Sequence, residues 1–322
     1  MHGFQAVNPS GGEQLIQANQ ALGVFAKKPA GRAPDLLCAI GFAFDTARRL
    51  PPFHLEMHMN DDIISIGDMH VRVAGHGPAL VFCHGFTTTG EFWRQQMGAF
   101  SRDHRMVVPD LPGHGRSASP RSRRYTIDAF VDDLVLLFDK LRLDDAILVG
   151  LSMGGTIAQR FALAHPSRLR ALVLVGATPH GLGPDVNVKN VLRAIDTLGV
   201  TAASQAVIDR SFGSAASAEL VAFAREQVAQ TPEFVAREAI VSLNEADSRA
   251  QLARLALPTL VVCGEEDAIT PPAESHALAA GIPGAILQLV PSAAHFPMLE
   301  QPERFNAILR DFIARIDNRG GA

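Results

Sequence analysis

The chain has 322 residues, 47% of them apolar, which is enough to bury a large core and suits one α/β domain with an insertion. A formal net charge of −4 and an aromatic content of 6% argue against nucleic-acid binding, which needs basic patches and stacking rings. No apolar run reaches the roughly 18 to 20 residues that a bilayer requires, so we expect no membrane span.

The cysteines and the start of the chain predict a cytoplasmic protein. The three cysteines, Cys38, Cys83 and Cys263, cannot all pair, and the last two lie in apolar runs that are typical of buried thiols. The residues after Met1 lack the basic flank and apolar core of a secretory signal.

Residues 1–60 form a separate part of the pattern, in which Lys27-Lys28-Pro29 and Pro51-Pro52 interrupt weak helical patches. They predict an N-terminal extension or docking arm, with a poorly ordered extension or a start at Met57 or Met59 as alternatives. His54-Leu-Glu-Met-His58 superficially resembles a metal motif, but its glutamate is misplaced for H-E-x-x-H and no third ligand is evident. We therefore expect a linker there and no metal.

From Asp61 onward, short runs of Val, Ile and Leu alternate with longer amphipathic segments, which is typical of a mostly parallel sheet with helices on both faces. The first two strands are expected to pair as an antiparallel hairpin through Gly67-Asp68. Eight strands of one sheet are predicted: Asp62 to Ile66, Met69 to Val73, Ala79 to Cys83, Arg105 to Pro109, Ala146 to Gly150, Leu172 to Val175, Thr259 to Gly264 and Ile286 to Val290.

The amphipathic segments predict the helices that cover this sheet, and Thr126 is a plausible cap for one of them. The predicted helices are Phe92 to Phe100, Ile127 to Leu141, Met153 to Ala164, Pro272 to Ala280 and Pro302 to Ile316.

Between Gly176 and Leu257 the strand pattern disappears, and alanine-rich helical pieces such as Val188 to Leu198 and Ala216 to Ala229 replace it. We predict a core of residues 61–179 and 257–322 and a helical cap of residues 180–256. An insertion at this point lies over the carboxyl ends of the strands, where open α/β sheets bind ligands.

The sequence Gly150-Leu-Ser-Met-Gly154 joins an apolar strand to a helix, which is typical of a nucleophile elbow. Glycines two residues before and after Ser152 remove the Cβ atoms that would collide in so tight a turn. Ser152 is therefore the predicted nucleophile.

A serine nucleophile requires a base and a carboxylate that orients it. His295 and Asp267 each follow an apolar strand, in the chain order Ser, Asp, His, and are the predicted base and acid. Glu265 and Glu266 adjoin Asp267 and are alternative acids. His180 and His276 are weaker candidates for the base.

Acyl transfer also needs two N–H donors for the developing oxyanion. Met153 follows the nucleophile at a helix start, and Phe86 follows His84-Gly85 after the third strand, so their backbone amides are the predicted donors. We expect His84 to stabilise this loop and not to act in catalysis.

Five motifs in order resemble the landmarks of the α/β-hydrolase superfamily over about Asp61 to Ile316. They are His84-Gly85-Phe86, Asp110-Leu-Pro-Gly113-His-Gly115-Arg-Ser117, Gly150-Leu-Ser-Met-Gly-Gly155, Gly264-Glu-Glu-Asp267 and His295-Phe-Pro-Met-Leu-Glu300-Gln-Pro302. Gly-Leu-Ser-Met-Gly-Gly and Leu-Glu-Gln-Pro are similar to small carboxylesterases and 3-oxoadipate enol-lactonases, and are shared with perhydrolases and carbon–carbon bond hydrolases. Ala294 departs from the glycine of many relatives.

The motifs and this resemblance predict a serine hydrolase of a small carboxylic ester or lactone, acting through an acyl-enzyme without cofactor or metal. The alanine and valine content of the insertion suggests a substrate with an apolar part. The alternatives are carbon–carbon bond hydrolysis or perhydrolysis on the same fold, and a ligand-binding or signalling protein without turnover.

Overall fold

The computed structural model describes residues 61–183 and 186–320, so the predicted N-terminal extension and its His54 to His58 pattern lie outside the described residues. An eight-stranded sheet occupies the centre, in the order β1-β2-β4-β3-β5-β6-β7-β8. The strands are β1 Asp62–Ile66, β2 Met69–Ala74, β3 Ala79–Cys83, β4 Arg105–Asp110, β5 Ala146–Leu151, β6 Leu169–Val175, β7 Thr259–Gly264 and β8 Ile286–Val290.

The predicted mostly parallel sheet of eight strands is confirmed. β1 and β2 form an antiparallel hairpin in which Ile66 pairs with Met69, β2 runs antiparallel to β4, and the other neighbours are parallel. β6 begins at Leu169, before the predicted Leu172, because Leu169 pairs with Ala146 of β5 although the polar Arg170 interrupts the apolar run.

Helices cover both faces of the sheet. The helix Ile127–Leu141 begins after Thr126, whose hydroxyl accepts a 3.2 Å hydrogen bond from the Ala129 N–H and so serves as the predicted cap. The first predicted helix begins instead as a 3₁₀ turn at Gly90–Trp93. The helices are α1 Arg94–Phe100, α2 Ile127–Leu141, α3 Met153–Ala164, α4 Val188–Ile208, α5 Ala218–Val228, α6 Glu233–Glu245, α7 Pro272–Gly281, α8 Pro297–Glu300 and α9 Pro302–Gly320.

The apolar core has two halves, one on each face of the sheet, because successive side chains of a strand point in opposite directions. In β3, Val81 and Cys83 belong to the half that packs under α2, α3 and α7. Leu80 and Phe82 belong to the half that packs under α1 and α9. The central parallel strands, such as β5 and β7, are thus buried on both faces of the sheet.

The segment between β6 and β7, which we call the helical insertion, contains α4, α5 and α6. The predicted helix from Val188 to Leu198 continues to Ile208 across Gly199, whose φ of 80° and ψ of 160° break the helical geometry. No predicted helix corresponds to α6, which joins the core beside α2 through Val235, Ala239 and Leu243.

Among the described helices, α4 alone meets the length and composition of a membrane-spanning helix, with a mean hydropathy of 1.2. The break at Gly199 divides it into two shorter segments, and Val191, Ala194 and Ile195 are buried inside the protein.

Candidate active site

Ser152 occupies a strained turn between β5 and α3. Its backbone angles, φ 52° and ψ −115°, lie where L-residues are rarely found. A Cβ added to Gly150 would lie 2.3 Å from the Gly154 carbonyl oxygen, and one added to Gly154 would lie 2.4 Å from that of Cys83. Both glycines are therefore required, as the spacing predicts.

The surrounding structure holds this strained conformation in place. The Ser152 N–H donates a 2.9 Å hydrogen bond to the Val175 carbonyl at the end of β6. The Ser152 carbonyl accepts one of 2.8 Å from the Gly155 N–H in the first turn of α3. Because both backbone groups are satisfied, the turn keeps the serine side chain at the carboxyl end of the sheet.

Asp267 and His295 follow β7 and β8 and come together at the same edge. His295 Nδ1 lies 2.9 Å from Asp267 Oδ2, and both side chains are buried. Asp267 Oδ1 accepts hydrogen bonds from the Ile269 and Thr270 N–H groups, at 2.8 and 2.9 Å. The Thr270 hydroxyl donates to Oδ2 at 2.8 Å, so the carboxylate is held from several sides.

Electrostatics keep the Asp267 carboxyl ionised. Burial raises its pKa, but the adjacent His295 and the hydrogen bonds from His295 and Thr270 outweigh burial, so the net pKa is lowered. An ionised Asp267 favours the tautomer of His295 with its proton on Nδ1, which leaves Nε2 as the basic nitrogen.

The two neighbouring glutamates have other environments. Glu265 is exposed, while Glu266 Oε2 accepts hydrogen bonds from the Ser214 N–H and hydroxyl at 2.9 and 3.1 Å. Of the three adjacent acids, Asp267 is the one hydrogen-bonded to His295.

The other two candidate histidines have different surroundings. His180 Nε2 is 2.8 Å from Glu274, and His276 is exposed on α7.

The loop after β3 lies against Ser152. A Cβ added to Gly85 would be 3.4 Å from the Ser152 Cβ, and the Thr88 N–H and hydroxyl both donate to the Gly85 carbonyl. Within the described part of the chain, no residue accepts a hydrogen bond from the backbone N–H of Phe86 or of Met153. Both amides are therefore available to a ligand beside Ser152.

His84 supports this loop. Its Nε2 accepts a 2.9 Å hydrogen bond from the Leu111 N–H, so Nδ1 carries the proton and donates to the Gly85 carbonyl at 2.9 Å. Burial lowers the pKa of His84 to about 4, so the ring is neutral. A neutral ring with both nitrogens engaged fits the structural role expected for His84.

Ser152 and His295 line one cavity of about 110 Å³ beneath the helical insertion. The wall is mostly apolar, with Leu182, Val186, Val191, Val207, Ile208 and Ile240 from the insertion. The insertion also contributes Arg210 and Ser211. Such a cavity suits a small molecule with an apolar part.

Three contributors to the site were not identified from the sequence. Thr270 holds Asp267, and its signal is the Asx-type turn that an aspartate forms with residues two and three positions later. Ser211 reaches the site from the insertion, where its carbonyl accepts a 2.9 Å hydrogen bond from the His295 N–H. Glu300 binds the backbone on both sides of His295, at Ala294 and Phe296.

The thiols belong to the core. Cys83 and Cys263 are free and buried. Burial raises the pKa of both thiols, that of Cys263 to about 12, so neither is an activated nucleophile. Among residues 61–183 and 186–320, no group of three or more His, Cys, Asp or Glu side chains could hold a metal ion.

A buried, mostly parallel sheet with a serine on a strained turn after its central strand β5 defines the α/β-hydrolase class. The chain belongs to this family: residues 78–302 match the family model for the alpha/beta hydrolase fold.

Among curated proteins, the chain is 29% identical over 275 residues to 3-oxoadipate enol-lactonase 2 of Acinetobacter baylyi, covering 83% of this chain and all of that one. It is 32% identical over 280 residues to 2-hydroxymuconate semialdehyde hydrolase of a Pseudomonas species, covering 80% and 94%. A thermophilic esterase of Thermogutta terrifontis has a similar structure, with a TM-score of 0.73, 28% identity and 80% and 99% coverage. The protein is thus an enzyme of the α/β-hydrolase superfamily.

Proposed function

We propose that the protein hydrolyses a small carboxylic ester or lactone through a Ser152-His295-Asp267 triad. The observation that carries the proposal is the hydrogen bond between Asp267 and His295, because His295 lines the same cavity as the strained Ser152. This arrangement supplies a base, an acid that orients it, and a serine that lines the cavity.

In the proposed acylation step, the Ser152 hydroxyl oxygen attacks the substrate carbonyl carbon while His295 Nε2 accepts its proton. The carbonyl oxygen becomes an oxyanion, which the Phe86 and Met153 N–H groups stabilise. The carbon–oxygen bond to the leaving alkoxide then breaks, and the imidazolium returns its proton to that oxygen. Asp267 stabilises the imidazolium throughout.

Deacylation repeats these steps with water. His295 removes a proton from water, the hydroxyl attacks the acyl-enzyme carbonyl, and the second tetrahedral intermediate collapses to release the acid. Ser152 recovers its proton from His295. For a lactone, both products remain one molecule, a hydroxy acid.

A second candidate is carbon–carbon bond hydrolysis by the same residues. The similarity to 2-hydroxymuconate semialdehyde hydrolase, at 32% identity, supports this second candidate. Product analysis separates the two, because ester hydrolysis yields an acid and an alcohol whereas cleavage next to a ketone yields an acid and a second carbonyl compound.

The test is hydrolysis of a chain-length series of activated aryl esters, and of small lactones, by the wild type and by Ser152→Ala. Ser167→Ala is the matched control, because Ser167 is exposed in the Pro166–Arg168 turn. Circular dichroism is used to check that the wild type and both variants are folded.

Turnover that Ser152→Ala lacks and Ser167→Ala retains supports the serine hydrolase, and the preferred chain length measures the cavity. Undiminished turnover in Ser152→Ala refutes Ser152 as the nucleophile. A folded wild type that binds these esters without hydrolysing them favours the binding or signalling alternative.

A further inference from the structure

Glu300 is a half-buried carboxylate that connects the loop of His295 to the helical insertion. Its Oε1 accepts hydrogen bonds from the Ala294 and Phe296 N–H groups, at 2.9 and 3.1 Å. Its Oε2 accepts one of 2.7 Å from the Gly213 N–H, on the segment between α4 and α5. The first two donors flank His295 on both sides, and the third belongs to the insertion.

A second carboxylate holds the same part of the insertion. Glu266, which adjoins Asp267, accepts hydrogen bonds from the Ser214 N–H and hydroxyl. Gly213 lies between the two carboxylates: a Cβ added there would be 3.0 Å from Glu266 Oε2 and 3.1 Å from Glu300 Oε2. Glu266, beside Asp267, and Glu300, near His295, therefore bind the N–H groups of two adjacent residues of the insertion.

The contact with the insertion extends to the backbone of His295 itself. The His295 N–H donates to the Ser211 carbonyl at 2.9 Å, and the rings of Phe212 and Phe296 are 5.1 Å apart. Since Ser211 and His295 both line the cavity, this segment connects the cavity wall to the base.

We propose that Glu300 is a positioning residue that fixes His295 and the segment of residues 211–214 relative to each other, so that the cavity formed by the insertion is aligned with the catalytic base. The inference rests on the proposed function for its kinetic effect. Its geometric content, the restraint on His295, stands apart from any substrate.

A carboxylate suits this role because each of its oxygens accepts hydrogen bonds, and three N–H donors converge on Glu300. A glutamine offers one carbonyl oxygen and an NH₂ group that only donates. In Glu300→Gln, either the bonds beside His295 or the bond to Gly213 must be lost, while the size of the side chain is preserved. The variant therefore tests the hydrogen bonds of Glu300 without changing how its side chain packs.

The experiment compares Glu300→Gln with Glu303→Gln, a control on the exposed face of α9. We expect Glu300→Gln to lower kcat about 10- to 100-fold, because small displacements of a catalytic base have effects of this size. KM should change less than kcat. Glu303→Gln should retain the kcat of the wild type.

A second readout needs no substrate. The Nδ1 proton of His295, shared with Asp267, gives a downfield proton NMR signal when the ring is held firmly. We expect this signal to broaden or disappear in Glu300→Gln and to persist in Glu303→Gln. An unchanged signal together with an unchanged kcat overturns the proposal. Loss of thermal stability alone, with normal kcat and a normal signal, also overturns it, because it shows a purely structural role.

Gly213→Ala tests the connection from the side of the insertion if Glu300→Gln does not fold. Its Cβ would contact both carboxylates while leaving Glu300 itself in place. The expected result is a smaller loss of kcat with the same broadening of the NMR signal, and a signal like that of the wild type contradicts the proposal. If the wild type hydrolyses nothing, the proposed function fails, yet the NMR comparison still decides the positioning role.

Discussion

The imidazole of His295 and the carboxylate of Asp267 lie 2.9 Å apart, although they come from loops after two different strands. β7 and β8 are adjacent and parallel, so their carboxyl ends meet at one edge and place the two loops side by side. The pair is further held by Thr270, which donates to Asp267 Oδ2.

Asp267→Asn should lower kcat about 10⁴-fold with little change in KM, because an amide cannot stabilise the imidazolium and favours the wrong tautomer of His295. Ester turnover by the purified variant measures this. Glu265→Gln, an exposed acid of the same loop, is the control and should behave as the wild type. An Asp267→Asn enzyme with wild-type kcat would exclude Asp267 as the acid of the triad.

The strained turn at Ser152 predicts that Ser152→Gly is more stable than Ser152→Ala. Alanine keeps the Cβ that makes a φ of 52° and ψ of −115° unfavourable, whereas glycine adopts such angles readily. We expect a difference of about 1 kcal/mol in the free energy of unfolding, measured by urea denaturation. Both variants should lack turnover. Equal stability, or a more stable alanine variant, would show that a Cβ at position 152 does not destabilise the turn.

Arg210 predicts a preference among substrates. It lines the cavity and is partly exposed, and no described residue forms an ion pair with its side chain. Arg210→Gln should raise KM about 10-fold for an aryl half-ester of a dicarboxylic acid relative to a neutral ester of equal length. Arg193→Gln, on the exposed face of α4, is the control. A ratio of KM values that Arg210→Gln leaves unchanged would contradict a role for this charge.

Two buried histidines predict acid sensitivity of the fold. Burial lowers the pKa of His84 to about 4 and, together with the nearby His84, that of His114 to about 3, against 6.5 for an exposed ring. Between these values the unfolded chain binds protons that the folded chain does not, so stability falls as the pH decreases from about 6.5 to 4. Each ring contributes a slope of up to about 1.4 kcal/mol per pH unit.

His114→Phe should reduce this slope by the contribution of one proton, whatever it does to absolute stability. Urea unfolding at a series of pH values measures the slope for the variant and the wild type. The same slope in both proteins would mean that His114 does not titrate differently in the folded state.

Local patterns identified most of the fold. Runs of Val, Ile and Leu marked the central strands such as β5 and β7, since strands buried on both faces are nearly continuous apolar segments. α6 was not identified, because its buried residues, such as Val235 and Leu243, are few and its Glu, Arg and Asn residues give a mixed pattern. Polar Arg170 likewise concealed the start of β6.

Some features of the site were likewise visible in the sequence and others were not. The spacing around Ser152 pointed to the elbow, because steric conflict between residues two positions apart is a local matter. The roles of Glu265, Glu266 and Asp267 were not separable, since three adjacent acids in a turn differ only in what each one meets. In the structure, Asp267 is hydrogen-bonded to His295, and Glu266 is hydrogen-bonded to Ser214.

Neighbouring residues alone predict the eight strands in chain order and the tight turn at Ser152, because apolar runs and steric conflicts within a turn are local features. The acid that contacts His295, and the connection that Glu300 makes between the loop of His295 and the insertion, are seen only in the folded protein. Those contacts join segments far apart in the chain, and the directions of their side chains are set by the packing of the sheet, the loops and the helical insertion together.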